Sequence, residues 1–423
     1  MACFTLLCTG SIRWLKGLCY KRRMKTVRIL ALLPWLLSCS AAVTPDTRDV
    51  ASTADLAAPA GPADGAAGPS DSSCAGTHLL SRPADPAQSG PWPVGARTVT
   101  IGRLTVEVFY PAKPQSEQGT PAVVYDLREH MPKSERGKIS DAKNPWQQCS
   151  CHRDLPVDEG HGPYPVLVFI HGTAGFRTQS LSQLTHLASR GFVVLAADHP
   201  GLMLADILAA VCPGTKAGMR DLSGDVMAML AELRRGGALA FMSGHADPTR
   251  IGLVGHSAGG AAVAELGDQL SVQAVVSWAA GTPVHKGPDL RASLFVGGKS
   301  DKVVKFSSVQ AGYLSSGAPK QLVGVDGAGH LMVTELCSLH NPDGENILTV
   351  AKDAGICGAG LAGLLFDCSA PLPDARGTLI VEHATTTMLE GILTCGVATP
   401  TGLTGLLGLR GRFTEVSVLD EQF

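Results

Sequence analysis

The chain has 423 residues, 45% of them hydrophobic and 17% charged, with a formal net charge of −2. That length and apolar content can bury a large core, and the near-neutral balance excludes the basic footprint by which proteins hold nucleic acid. Charge therefore selects no partner.

In chain order, the stretch "KRRMKTVRILALLPWLLSCS" sets Lys21, Arg22, Arg23, Lys25 and Arg28 ahead of an apolar run from Ile29 to Leu37. Pro34 interrupts that run, which falls far short of the ~20 residues a spanning helix needs. Residues 1–39 thus read as a secretory signal. Leu36-Leu37-Ser38-Cys39 resembles the lipobox of bacterial lipoproteins, which implies a lipid anchor on Cys39 and a start at Met24; an ordinary cleaved signal is the alternative. Residues 40–96, dominated by Ala, Pro, Gly, Ser, Thr and Asp, are poor in the aromatic and branched side chains that offset ordering entropy. They read as a disordered tether.

Beyond the signal, Cys74, Cys149, Cys151, Cys212, Cys337, Cys357, Cys368 and Cys395 form an even set, compatible with disulfides of undetermined connectivity in an exported chain. Cys149, Cys151 and His152 have no second ligand pair at zinc spacing, so no metal site is assigned.

Short branched-apolar runs then alternate with helical patterns, the signature of an α/β fold with a mostly parallel sheet flanked by helices. "RTVTIGRLTVEVFYPA" predicts an opening hairpin. "PVLVFIHG", "FVVLAADH", "RIGLVGH", "VQAVVSW", "ASLFVGG" and "PKQLVGVDG" bring the total to about eight strands. Helices are expected over "SLSQLTHLASRG", "RDLSGDVMAMLAELRRGG" and the alanine-rich stretch after Ser257.

In "RIGLVGHSAGGAAV" a strand runs into Ser257 flanked by Gly255 and Gly259, with a helix to follow. A serine on such a strained strand-to-helix turn needs neighbours without bulk at two before and two after. The turn lifts its hydroxyl to a helix N-terminus, where N–H groups favour developing negative charge. Serine is a poor nucleophile without a base, and the base needs an orienting acid, in the order serine, acid, histidine. Of His285, His330, His340 and His383, only His330 follows a strand through a glycine-rich turn, "DGAGH". Of Asp268, Asp289, Asp301 and Asp326, only Asp301 ends its own strand before that histidine's strand begins, at the carboxyl edge where catalytic groups gather. Backbone N–H groups of Ala258 and of Thr173, in "HGTAG", are the expected oxyanion donors, worth on the order of 3 kcal/mol each when preorganised. His171 reads as a structural turn residue.

The stretch from "YPVLVFIHGTAG" to "VVLAADHPG" resembles plasma-type platelet-activating factor acetylhydrolases and dienelactone-hydrolase-like lipases. "DPTRIGLVGHSAGG", "LFVGGKSDKVV" and "VDGAGH" are similar in order and spacing to bacterial cutinases and polyester hydrolases. The resemblance covers about Arg97 to Leu336. It implies an α/β-hydrolase domain over 97–423 and a serine esterase that works through an acyl-enzyme with Ser257, Asp301 and His330 as triad, without metal or organic cofactor. In the acetylhydrolases the acid follows the strand after the elbow helix, but here that strand ends "SWAAGTP", so Asp301 matches the cutinase-like arrangement. The aromatic residue that polyester hydrolases usually carry at the place of Thr173 is absent, so an aromatic polyester is not the expected substrate. A small-molecule or lipid ester is expected, with membrane contact only through Cys39. A non-catalytic binding protein on a hydrolase scaffold and a lactone or carbon–carbon hydrolase are the alternatives. Outside the resemblance lie a polar insertion over 125–162, read as lid-like or as a surface excursion, and a cysteine-rich extension over 337–423 ending in a helix around "TTTMLEGILTCG".

Overall fold

In a computed structural model, the residues described are 77–213, 216–394, 406 and 408–423. The signal reading, Cys39, Cys74 and Cys395 lie outside them, as does the tether up to residue 76.

Strands β1 (Val94–Ile101) and β2 (Leu104–Pro111) form the expected hairpin, antiparallel from Val94 opposite Pro111 to Ile101 opposite Leu104. Its two-residue turn opens on Gly102 at φ 58°, a backbone state that glycine adopts without a steric penalty. The chain continues through β3 (Ala122–Tyr125), α1 (Lys133–Arg136), β4 (Gln147–Arg153), β5 (Tyr164–Ile170), α2 (Leu181–Ser189), β6 (Val193–Asp198), α3 (Leu204–Ala209) and α4 (Leu222–Arg235). Next come β7 (Ala246–His256), α5 (Ala258–Leu266), β8 (Ala274–Trp278), β9 (Ala292–Gly298), α6 (Phe306–Leu314) and β10 (Lys320–Val325). The extension adds α7 (Ile347–Asp353), α8 (Asp374–Leu393), α9 (Leu409–Arg412) and β11 (Val416–Gln422).

These strands make one sheet in the order β11-β10-β9-β8-β7-β5-β6-β2-β1-β4-β3. The six from β10 to β6 run parallel, and their residues are almost all buried because helices cover both faces. Alternation along β5 divides the core. Leu167 and Phe169 join α2 and α8 on one side, whereas Val166, Val168 and Ile170 join α4, α5 and α6 on the other. Local signals end α4 as expected: Asp221 accepts from the Gly224 N–H at its start, and Gly236 at φ 87° follows Arg234 and Arg235.

The order reverses at β5. The chain steps from β5 to β6 on one side and then places β7 on the other, which opens a crevice at the carboxyl ends of β5 and β7. Both "HGTAG" and Ser257 emerge there.

The sheet has eleven strands rather than about eight. The additions are edge or antiparallel strands with little apolar signal: β3 is four residues long, β4 reads QQCSCHR and β11 reads VSVLDEQ. The second half of the 125–162 insertion is thus sheet, with β4 parallel to β1 and antiparallel to β3. Its first half is a helical turn at Leu127–His130, then α1 and loop. The predicted final helix is α8, twenty residues long, and it is followed by α9 and β11.

Residues 77–96, read as tether, are packed onto the body. Trp92 is buried and its Nε1–H donates to Asp158 at 2.7 Å. The buried Arg190 guanidinium donates to the carbonyls of Pro83, Asp85 and Gln88 and pairs with Glu390. Composition hid most of this, because backbone carbonyls on Arg190 hold much of the segment, with the side chain of Trp92 as its main apolar anchor. Disulfides join Cys149 to Cys151, Cys212 to Cys357 and Cys337 to Cys368. No helix among the described residues is long and apolar enough to cross a membrane.

On α8, burial and the nearby Asp85 and Glu335 push the Glu382 carboxyl up to about 8, and burial pushes Glu335 up to about 7. In the unfolded chain both would ionise near the ordinary 4.5. Above that pH the native state binds more protons than the unfolded one, so this contribution to stability is full below 4.5 and is lost as pH rises towards 8. Glu382→Gln should therefore raise the urea midpoint relative to the parent at pH 8.5 and much less at pH 5.

Candidate active site

Ser257 stands between β7 and α5 at φ 55° and ψ −118°, a strained conformation for a residue with a side chain. Two close approaches hold it. A Cβ on Gly259 would lie 2.0 Å from the Ile170 carbonyl oxygen, and one on Gly255 would lie 2.3 Å from that of Gly259. The Ser257 N–H donates to the Trp278 carbonyl at 2.8 Å, which ties the turn to β8.

His330, after β10, is buried, and its Nδ1 lies 2.7 Å from Asp301 Oδ2. Asp301, after β9, is also buried, and its other oxygen accepts the N–H groups of Val303 and Val304 at 2.7 and 2.8 Å. The carboxylate is therefore aimed by its own loop. Lys299 and Lys302, its neighbours in sequence, pair instead with Asp326 and Asp367. Ser257, His330 and Thr173 line one cavity of about 10 Å³, walled by Gly172, Gly175, Leu365 and Phe366. Ala258 opens α5 directly after Ser257. Among the described residues, the N–H groups of Thr173 and Ala258 have no acceptor within the chain.

The structure thus brings the five residues singled out from sequence to one place, and it adds two that were missed. Gln179 Oε1 accepts the Gly172 N–H at 2.9 Å, and its Nε2–H donates to His256 Nδ1 at 2.8 Å. The proton of His256 then belongs on Nε2, which donates to the His330 carbonyl at 2.9 Å. Burial and the nearby His330 hold His256 well below its ordinary range, so it stays neutral and keeps this tautomer. One side chain next to Ser257 therefore links the "HGTAG" loop to the His330 loop. Gly175 leaves room for it: a Cβ there would meet Gln179 Oε1 at 2.1 Å.

His171 is fully buried and held down to about 3, by burial first and His199 second. Its Nε2 accepts the His199 N–H, so its Nδ1–H donates to the Gly172 carbonyl at 2.8 Å, a structural role in the turn. No group of three or more potential metal ligands clusters among the described residues.

The fold, the elbow and the crevice at the sheet reversal are those of the α/β-hydrolase fold. Residues 81–202 match the family model of platelet-activating factor acetylhydrolase, isoform II, and residues 154–279 match that of chlorophyllase. No curated protein matches the chain. The second range includes Ser257, and both stop short of Asp301 and His330.

His256→Leu leaves a buried amide and a buried carbonyl without partners, a loss of about 1–3 kcal/mol for each group. The variant should lower the unfolding free energy in urea by an amount of that order, and His256→Gln, which can accept at one end and donate at the other, should recover much of it.

Proposed function

We propose that the protein hydrolyses carboxylic esters through an acyl-enzyme on Ser257. The observation that carries this reading is the Asp301–His330 hydrogen bond of 2.7 Å beside a cavity that Ser257 also lines. With Nδ1–H donated to the carboxylate, Nε2 of His330 is left with its lone pair free to act as base. The Ser257 hydroxyl attacks the ester carbonyl while His330 takes its proton. The tetrahedral oxyanion receives the free N–H groups of Thr173 and Ala258, and the N-terminus of α5 adds its positive end. His330 then returns the proton to the leaving alcohol. Water enters by the same route, attacks the acyl-serine carbonyl and releases the acid. Every bond made or broken is satisfied by these groups and water.

We further propose that the protein is exported. Disulfides such as Cys212–Cys357 and Cys337–Cys368 persist in oxidising compartments. The proposed location is the cell envelope, anchored through Cys39, with an ester as small-molecule or lipid partner.

Ser257→Ala should lower p-nitrophenyl acetate turnover by roughly four to six orders of magnitude, and Asp301→Asn by roughly four, with unchanged circular dichroism. Full turnover in Ser257→Ala would refute the assignment.

A further inference from the structure

Beside the Ser257 cavity lies a second one of about 70 Å³ with almost wholly apolar walls. Met131 and Ile139 come from the insertion, Leu208 from α3, and Val350 and Ile356 from the extension. Phe366 lines both cavities. These walls are not ordinary core. Their residues form an apolar cluster of their own, separate from the two on either side of the sheet, and yet they leave space unfilled between them. In a globular interior such space costs contacts.

The walls are also held deliberately. Cys212–Cys357 fastens the end of α3 to the extension, and Cys337–Cys368 closes the extension just beyond Phe366. Glu135, in α1, accepts the Cys357 N–H and pairs with Lys138, whose Nζ also donates to the Gly355 carbonyl. Insertion and extension, far apart in sequence, are therefore one unit over the serine. Val350, Ile356 and Phe366 lie beyond both ranges matched by the family models.

We propose that this cavity takes the apolar chain of the ester whose carbonyl meets Ser257, with Phe366 at the passage between the two. The proposal rests on the ester-hydrolase reading and narrows it to esters with an aliphatic chain of several carbons. The Ser257 cavity, at about 10 Å³, holds at most about one water, so a chain must find its room next door. An apolar cavity without polar partners gains from a methylene and nothing from a charge.

Two substrate series distinguish the acyl side from the alcohol side: p-nitrophenyl esters from acetate to decanoate, and alkyl acetates from methyl to decyl. One series should rise about four-fold in kcat/KM per added carbon over several carbons, the factor expected for burying one methylene. Ala351→Trp and Ala362→Trp each place bulk on a half-buried wall of the cavity and should collapse the long-to-short ratio towards one, with melting temperature as the check on folding. A parent enzyme with two flat or falling series, or folded variants with the parent's ratio, would overturn the proposal. If no ester is turned over, the ester-hydrolase reading fails on its own account. Calorimetry with decanoic acid then decides: binding lost in Ala351→Trp supports the cavity, and no binding, or binding unchanged by that variant, overturns it.

Discussion

The site depends on backbone approaching backbone where β5, β7 and α5 meet. Gly259 lies so close to the Ile170 and His171 carbonyls that no side chain fits, and Gly255 is equally tight against Gly259. This contact lets α5 begin immediately after Ser257 and forces the serine to φ 55°. The strain is borne by an extensive parallel sheet, whose reversal at β5 leaves a crevice at the carboxyl ends of β5 and β7. A strained residue persists only where its surroundings determine it more strongly than its own preference.

From that contact outward, each part is fixed by its neighbour. Gln179 holds Gly172, His256 joins Gln179 to the His330 carbonyl, and Asp301 holds the ring of His330. Burial keeps His171 and His256 uncharged, so each has one donor and one acceptor and the tautomers are determined by their partners. Above this sits a unit assembled from the insertion and the extension. Its disulfides substitute for the core that such short segments cannot build alone.

Much of this was legible in the sequence. The parallel strands are runs of Val, Ile and Leu because both their faces are covered, and "GHSAGG" between a strand and a helix is a local signal tied to local geometry. Asp301 and His330 could be selected because each ends its own strand. What could not be read depends on distant partners. The polar strands β4 and β11 pair through their backbones, residues 77–93 are held by carbonyls on Arg190, and Gln179 has no periodicity that marks it as a partner of His256. Phe366 sits in a segment whose sequence carries apolar residues but no indication of which cavity they wall. The number of strands failed for the same reason, since hydrogen bonds made by backbone leave no trace in side-chain pattern, and the tether was drawn too long because a single tryptophan, Trp92, was outweighed by its polar surroundings.

In the proposed mechanism the Ser257 hydroxyl is an activated nucleophile. Labelling of the purified protein with a fluorophosphonate, followed by peptide mapping, tests it most directly. One adduct per chain is expected, on Ser257, and it should disappear in His330→Ala. An unlabelled native protein, or an adduct on a different serine, would contradict it.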